Sequence, residues 1–198
     1  WNAGCQDDAA KLQEHMARGE GYTKEERFAE AQIEFKSALQ IDPNHADAHF
    51  KLAHAYLQGR KVRQGFWELR ETARLAPDNH AAKLEFAQLA ILAGEQEEAL
   101  KQAEQVPEAD ASNIPAYLIK GQALDALKRP DEALAAYQAG AAQAPDNSGA
   151  LRALAHALGA RDKLPEAEEI WRKVVALEPG YASHTAYAGF LRRYYPEE

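Results

Sequence analysis

The chain of 198 residues is acidic, with 31 Asp and Glu residues against 23 Lys and Arg residues and a formal net charge of −8. This balance argues against binding of duplex nucleic acid, which needs a basic face to displace counterions from phosphate. The single cysteine, Cys5, excludes an internal disulfide and any cysteine-based zinc or iron–sulfur site within one chain. The sequence also lacks a run of about 18 apolar residues that could cross a bilayer.

Small residues recur every 34 positions along most of the chain. A small side chain on each of two helices lets their axes approach to about 8–10 Å, and a residue one turn further along the same face reaches a neighbouring helix. We therefore interpret the first series as the middle of helix A and the second as helix B of a helix pair. A large residue four places after most members of the second series is expected to fill the layer against the next pair. The three series are Gly19, Ala53, Ala87, Gly121, Ala155 and Gly189, then Ala31, Gly65, Ala99, Ala133 and Ala167, then Phe35, Leu69, Ala103, Tyr137 and Trp171.

Prolines at the same spacing end most of these units, because proline cannot continue a helix. They are Pro43, Pro77, Pro145 and Pro179. The third unit lacks both the proline and the aromatic residue, so its end at 106–110 predicts a shortened helix B and an irregular bend. In chain order, the pattern predicts helix pairs at 7–20 with 24–41, 46–58 with 62–75, 80–93 with 95–106, 114–127 with 130–143 and 148–159 with 164–177, followed by a lone helix at 182–194.

This pattern resembles the tetratricopeptide repeat family, whose signature is a bulky residue, Leu, Gly or Ala, Tyr, then Ala, an aromatic residue and Pro at fixed offsets. His15 and Arg18 depart from it in the first unit. The fourth unit matches best, through Tyr117, Gly121, Leu124, Ala133, Tyr137 and Pro145. The resemblance implies an all-α fold, a right-handed superhelical solenoid. Its parts would be a lead-in at 1–11, five repeats over 12–181 (12–45, 46–79, 80–113, 114–147 and 148–181), and a terminal helix at 182–198.

The resemblance also implies a non-catalytic scaffold that binds a peptide or a partner protein in a concave groove lined by the A helices. One subclass of the family grips a C-terminal carboxylate with a lysine and two asparagines, and these residues are absent from the corresponding places. The side chains expected to line the groove are Phe50, Lys51, His54, Glu85, Gln88, Gln122, Asp125, Arg152, His156, Tyr187 and Phe190.

Chemical motifs point away from catalysis, from a cofactor and from a small-molecule substrate. Nucleotide-binding glycine motifs, the Gly-x-Ser-x-Gly motif and the His-Glu-x-x-His motif do not occur in the sequence. His45 and His49 have the i, i+4 spacing of metal ligands, but His45 falls at a turn and His49 at a packing place. We therefore interpret both histidines as structural and predict no metal site. Tyr137 and Trp171 are expected to be core residues.

The amino terminus bears on localisation. Ala3-Gly4-Cys5 resembles the end of a bacterial lipoprotein signal, in which small residues precede an acylated cysteine, although Asn2 replaces the usual leucine. This resemblance predicts a periplasmic or outer-membrane-anchored lipoprotein that is tethered through Cys5 and serves envelope assembly or export. The alternative is a cytoplasmic protein in which Cys5 is an ordinary residue.

The carboxyl terminus leaves two interpretations open. The helix at 182–194 has no matching helix B, so it is either a solvating cap or a truncated sixth repeat, and Gly189 at the small-residue place favours the latter. An exposed end would allow association with another chain. The rival functions are therefore a self-associating structural solenoid, or homo-oligomer, and an accessory repeat module of a larger enzyme or export complex.

Overall fold

The computed structural model describes residues 2–106 and 113–195, and their side chains from residue 7 onward. Every regular element within these ranges is an α-helix. None of the described helices is long and apolar enough to span a membrane. In chain order the helices are α1 (Asn2–Lys24), α2 (Phe28–Ile41), α3 (Ala46–Gln58), α4 (Val62–Leu75), α5 (His80–Ala93), α6 (Gln96–Glu104), α7 (Ile114–Ala126), α8 (Pro130–Gln143), α9 (Ser148–Gly159), α10 (Leu164–Leu177) and α11 (Tyr181–Tyr194).

The lengths of the helices differ from the prediction in two places. Helix α1 has 23 residues, so the lead-in is helical from Asn2, and α2 begins at Phe28 rather than at residue 24. Helix α6 has 9 residues, whereas α2, α4, α8 and α10 have 14 each. This difference confirms the shortened second helix of the third pair. The predicted bend falls on 107–112, which lie outside the described residues.

The chain divides into two compact units, Trp1–Ala90 and Ile91–Glu198. In unit 1, α1 packs against α2, α2 against α3, and α3 against α4. In unit 2, each helix from α6 to α11 packs against its successor in the chain, and α9 also contacts α11. Each unit is therefore built from neighbours in sequence, as expected when each repeat must bury its apolar face against the next one.

The small residues and the large residues of the sequence pattern meet inside one helix pair. A Cβ atom added at Gly19 in α1 would lie under 3.0 Å from the ring of Phe35 in α2. The same holds for Gly121 in α7 and the ring of Tyr137 in α8. The large residue thus also covers the small residue of its own pair, in addition to the contact with the next pair that the sequence suggested. Tyr137 is 5% exposed and Trp171 is 0% exposed, which confirms that both are core residues.

The turn inside each helix pair repeats one backbone conformation that the sequence did not reveal. The left-handed residues Glu26, Arg60, Gly94, Lys128 and Asp162 have φ between 58° and 83° and lie 34 positions apart. In the second pair the turn is closed by a hydrogen bond of 2.8 Å from the Lys61 N–H to the Tyr56 carbonyl. This is the closing bond of a Schellman motif, in which a residue after the helix takes the left-handed conformation. Glycine, which adopts that conformation without strain, stands at this place only in the third pair.

Candidate functional site

Three of the predicted groove residues lie together on α3 in unit 1. Phe50, Lys51 and His54 line a cavity of about 370 Å³. The other walls come from Glu20, Thr23 and Lys24 at the end of α1 and from Phe35 on α2. The half-buried Phe50 supplies apolar surface, since Phe35 behind it is only 1% exposed, whereas the charged residues carry the polar groups. Such a mixture of apolar surface and a few polar groups is typical of binding pockets.

Thr23 and Lys24 were not predicted because the sequence placed the end of the first helix at residue 20. The structure continues α1 to Lys24, and this extra turn forms part of the cavity wall. The stretch from residue 2 to residue 24 contains no proline. That absence was the available signal for a longer helix.

The charged groups around the cavity pair with one another. Lys51 Nζ lies 3.1 Å from Glu20 Oε1 and 3.6 Å from Asp47 Oδ1. Burial lowers the pKa of Lys51. The hydrogen bond with Glu20 and the charge of Asp47 raise it by more than burial lowers it, so the pKa lies above its ordinary value. Lys51 therefore remains a cation that is held in place by two carboxylates.

His54 forms another polar edge of the cavity. Its Nε2 lies 3.2 Å from Glu85 Oε2 on α5, and its ring meets the Phe50 ring edge-on with centroids 4.5 Å apart. The hydrogen bond with Glu85 raises the pKa of His54 against the opposing effect of burial. Glu85 and Gln88 are both half-buried on α5. Glu85 thus joins the cavity through His54, whereas no contact of Gln88 with the cavity is observed among the described residues.

The remaining predicted residues lie in unit 2. Gln122 and Asp125 are exposed on α7, and Asp125 accepts a hydrogen bond of 3.0 Å from the Tyr137 hydroxyl. Burial raises the pKa of Tyr137, and Asp125 raises it further. Asp125 therefore orients a core side chain in addition to facing solvent.

Arg152 and His156 lie one turn apart on α9, and Tyr187 lies on α11. The His156 ring meets the buried Trp171 indole edge-on at 5.0 Å, and Tyr187 stacks on the same indole at 6.4 Å. Burial lowers the pKa of His156, and the charges of Arg193 and Arg152 lower it further. These side chains form a second polar group over an aromatic base, which we call the His156 cluster: Arg152, His156, Trp171, Tyr187 and Arg193.

Phe190 does not belong to a binding surface in this structure, and its prediction is corrected. It is 3% exposed because it packs against Trp171, Tyr194 and the backbone of α9 at Gly159. The position of Phe190 in the repeat does direct its side chain toward the preceding A helix, α9. The side chain packs against that helix, so it is not available to a partner.

The clustered histidines each have a structural partner. His45 caps α3, with Nδ1 accepting a hydrogen bond of 3.1 Å from the Ala48 N–H. His49 Nδ1 lies 2.7 Å from Glu68 Oε2, and this hydrogen bond raises the pKa of His49. The structural interpretation of both residues is therefore confirmed. The side chain of Cys5 lies outside the described residues, so acylation of Cys5 stays a prediction.

Comparisons with known proteins identify the repeats. A family model described as "TPR repeat" matches residues 19–59, and a model described as "Tetratricopeptide repeat" matches residues 114–147. No curated protein sequence is significantly similar to the chain. The two matched segments lie in different units, so the pattern is present in both.

Similar solved structures cover most of the chain at low sequence identity. A crystal structure of MamA protein has a TM-score of 0.77 and 19% identity, covering 86% of this chain and 93% of that chain. MamA 41-end from Desulfovibrio magneticus RS-1 has a TM-score of 0.76 and 18% identity, covering 85% and 96%. YrrB, described as a TPR protein with an unusual peptide-binding site, has a TM-score of 0.74 and 16% identity, covering 88% and 89%. These similarities confirm the predicted fold class, an all-α tetratricopeptide solenoid.

Proposed function

We propose that this chain, which belongs to the tetratricopeptide repeat family, is a non-catalytic scaffold that binds an extended peptide or a partner protein on its A helices. The fold itself supports an interaction scaffold, and such scaffolds are typically non-catalytic. The proposal depends above all on the cavity of about 370 Å³ that Phe50, Lys51 and His54 line in unit 1. YrrB, which has a similar fold, is described as having a peptide-binding site.

The chemistry of the cavity suits one anchoring side chain of a peptide. The half-buried Phe50 ring offers aromatic faces to an apolar or aromatic anchor, next to the buried Phe35, and such anchors carry most of the binding energy in protein interfaces. Lys24, Lys51 and Glu20 surround these faces with groups that can bind polar atoms of a peptide. Because Lys51 and His54 are already held by carboxylates, they need little reordering on binding, which reduces the entropic penalty of association.

The wider setting of the proposal comes from the amino-terminal sequence. A protein tethered through Cys5 would present the scaffold at the bacterial envelope, where it would serve assembly or export. Mass spectrometry of the protein extracted from native membranes tests this setting separately. An acylated Cys5 supports it, and an unmodified protein in the soluble fraction contradicts it.

Affinity capture from native extract with the parent chain as bait, followed by mass spectrometry and a direct affinity measurement, tests the proposal. The test variant is Phe50→Ala with His54→Ala, and the matched control is Ile33→Ala, which shortens a 63% exposed side chain on α2. We expect the dissociation constant of the captured partner to rise at least about tenfold in the test variant and to stay unchanged in the control.

Equal affinity of the parent and the test variant would move binding away from this cavity. Capture of the chain by itself, together with a molecular mass that rises with concentration, would favour the self-associating solenoid instead. Co-purification as one member of a fixed enzyme or export complex would favour the accessory module.

A further inference from the structure

The basic residues of unit 2 fall into two groups. Most of them form ion pairs of 2.6–3.8 Å with a carboxylate. Within the part of the chain that the structure describes, no such pair is formed by Lys128 in the turn after α7 or by the arginines of α9 and α11, which are Arg152, Arg192 and Arg193. Acidic residues outnumber basic ones by 31 to 23 in this protein, so unpaired arginines on adjacent helices need an explanation. The paired residues are Lys101, Lys120, Arg129, Arg161, Lys163, Arg172 and Lys173.

Two of the unpaired arginines lower the pKa of the same histidine, His156. Arg152 and His156 are four residues apart and therefore share one face of α9. Arg193 reaches the same histidine from α11, and the charges of Arg152 and Arg193 both lower the pKa of His156. Among the described residues, no carboxylate is a cause of the pKa shift of this histidine. The surroundings of His156 are thus positive in an otherwise acidic protein.

Helix dipoles explain only part of this arrangement. Arg192 and Arg193 lie in the last turn of α11, where a cation is favourable. Arg152 is the fifth residue of the 12-residue α9, away from the carboxyl end of the helix. Arg152 is half-buried and forms no ion pair with any described residue, so it stabilises neither its own helix nor a neighbouring one in that way.

The base of the cluster is aromatic and fixed. Trp171 is 0% exposed, His156 stands edge-on to it, and Tyr187 stacks on it. The Tyr187 hydroxyl donates a hydrogen bond of 3.1 Å to Glu168 Oε1, which also pairs with Arg172 at 2.6 Å. The carboxylate of Glu168 is therefore already used by Tyr187 and Arg172, whereas no hydrogen bond or ion pair of Arg152 or Arg193 is observed among the described residues.

We infer that the His156 cluster binds an acidic segment of the peptide or protein partner, with one Asp or Glu side chain on Arg152 and a second on Arg193. The planar guanidinium matches a carboxylate with two parallel hydrogen bonds, and the two arginines lie on different helices, so two carboxylates fit them better than one. This inference rests on the proposed function, because it assigns a charge to the segment that the scaffold binds. A single C-terminal carboxylate is the alternative source of the same chemistry.

Selection from a displayed library of randomised peptides, made with both free and blocked carboxyl ends, tests the inference. We expect the peptides selected by the parent to be enriched in Asp and Glu at internal positions, regardless of the state of the carboxyl end. The test variant is Arg152→Gln with Arg193→Gln. The control is Arg63→Gln with Lys101→Gln, which also removes two positive charges, from exposed positions on α4 and α6. For the best acidic peptide, the dissociation constant should rise at least about tenfold in the test variant and by less than about twofold in the control.

The outcomes separate this inference from the proposed function. Selected peptides without acidic enrichment, whose binding Phe50→Ala weakens, would overturn the inference and leave the scaffold function intact. Enrichment that requires a free carboxyl end would assign the cluster to a terminal carboxylate and overturn the side-chain assignment. If the test variant and the control weaken peptide binding equally, the effect depends only on the net charge of the protein, which also overturns the inference. A selection that recovers no peptide would contradict both proposals.

A second measurement reports on the cluster directly. The imidazole signal of His156, assigned by comparison with a His156→Gln variant, can be titrated by NMR with and without the selected peptide. A bound carboxylate should raise the pKa of His156 because it offsets the two guanidinium charges. An unchanged pKa at saturating peptide would show that the carboxylates bind elsewhere on the chain.

Discussion

His54 in unit 1 and His156 in unit 2 occupy the ninth place of their repeats, yet their pKa values shift in opposite directions. The difference comes from the residues around them. Thirty-one positions after His54 stands Glu85, which pairs with it, and thirty-one positions after His156 stands Tyr187, which stacks on Trp171 instead. The repeat fixes where a side chain projects, and the burial and charges around it decide the direction in which its pKa shifts.

Of the three glycines at the small-residue position of the A helices, Gly121 and Gly189 offer the sharpest contrast between a helix inside an array and a terminal helix. A Cβ atom at Gly121 would collide with the buried Tyr137 ring, whereas nothing lies within 4 Å of a Cβ atom at Gly189. We expect Gly121→Ala to lower the free energy of unfolding by about 1–3 kcal/mol through overpacking. Gly189→Ala should instead raise it by up to about 1 kcal/mol through helix propensity.

Urea unfolding followed by circular dichroism checks both glycine variants. Destabilisation by Gly189→Ala would show that another surface covers α11 in solution. An unchanged midpoint for Gly121→Ala would contradict the register that pairs Gly121 with Tyr137.

The five left-handed turn residues allow the backbones of the two units to be compared, because the same conformation recurs in both. Lys128→Gly in unit 2 and Arg60→Gly in unit 1 should each stabilise the protein by about 0.5–1 kcal/mol, because glycine adopts a positive φ without steric strain. Gly94→Ala, with φ of 83°, should destabilise it by about 1 kcal/mol. Thermal and urea unfolding of the three variants provide the measurement. A loss of stability in both glycine variants would contradict the strained conformation of these turns.

The smallest expected effect is the pH dependence of the contributions that His54 and His156 make to stability. Because the pKa of His54 is raised above 6.5 in the folded protein, its contribution to stability is fully present below pH 6.5 and is lost as pH rises through the raised pKa. His156 has a lowered pKa, so its contribution is present above pH 6.5 and is lost as pH falls through the lowered pKa. Both histidines thus give a pH-dependent stability, with opposite signs.

Glu85→Gln isolates the first of these contributions. It should reduce the free energy of unfolding by less than about 1 kcal/mol at about pH 5.5 and by almost nothing at about pH 8, because the pair is partly exposed and screened by solvent. His49 also has a raised pKa. Its contribution to stability is the same in the parent and in Glu85→Gln, so it cancels in the difference between their free energies of unfolding. Urea unfolding at the two pH values measures the effect. An equal loss at both pH values would mean that Glu85 acts through packing and not through the charge of His54.

Much of the candidate site could be predicted from register alone. Phe50, Lys51 and His54 were placed on one helical face by their spacing, and they do line a common cavity. Whether they bind a partner stays a prediction. Thr23 and Lys24 were missed because the end of α1 depends on tertiary contact, and propensity fixes helix ends poorly. Phe190 was misjudged because its neighbour Trp171 comes from α10, through packing that the helical register does not report.

The sequence by itself determined the helical class, the 34-residue period, the helix pairs and the short α6, because periodic small residues and prolines act locally on helix packing and helix ends. Only the tertiary structure decided which charges are paired. The carboxylate beside His54 and Arg193 beside His156 come from other helices, and the same position of the repeat can meet either. Tertiary structure also decided that four ordinary residues adopt a positive φ, because closing the turn between two packed helices requires that conformation whichever residue stands there.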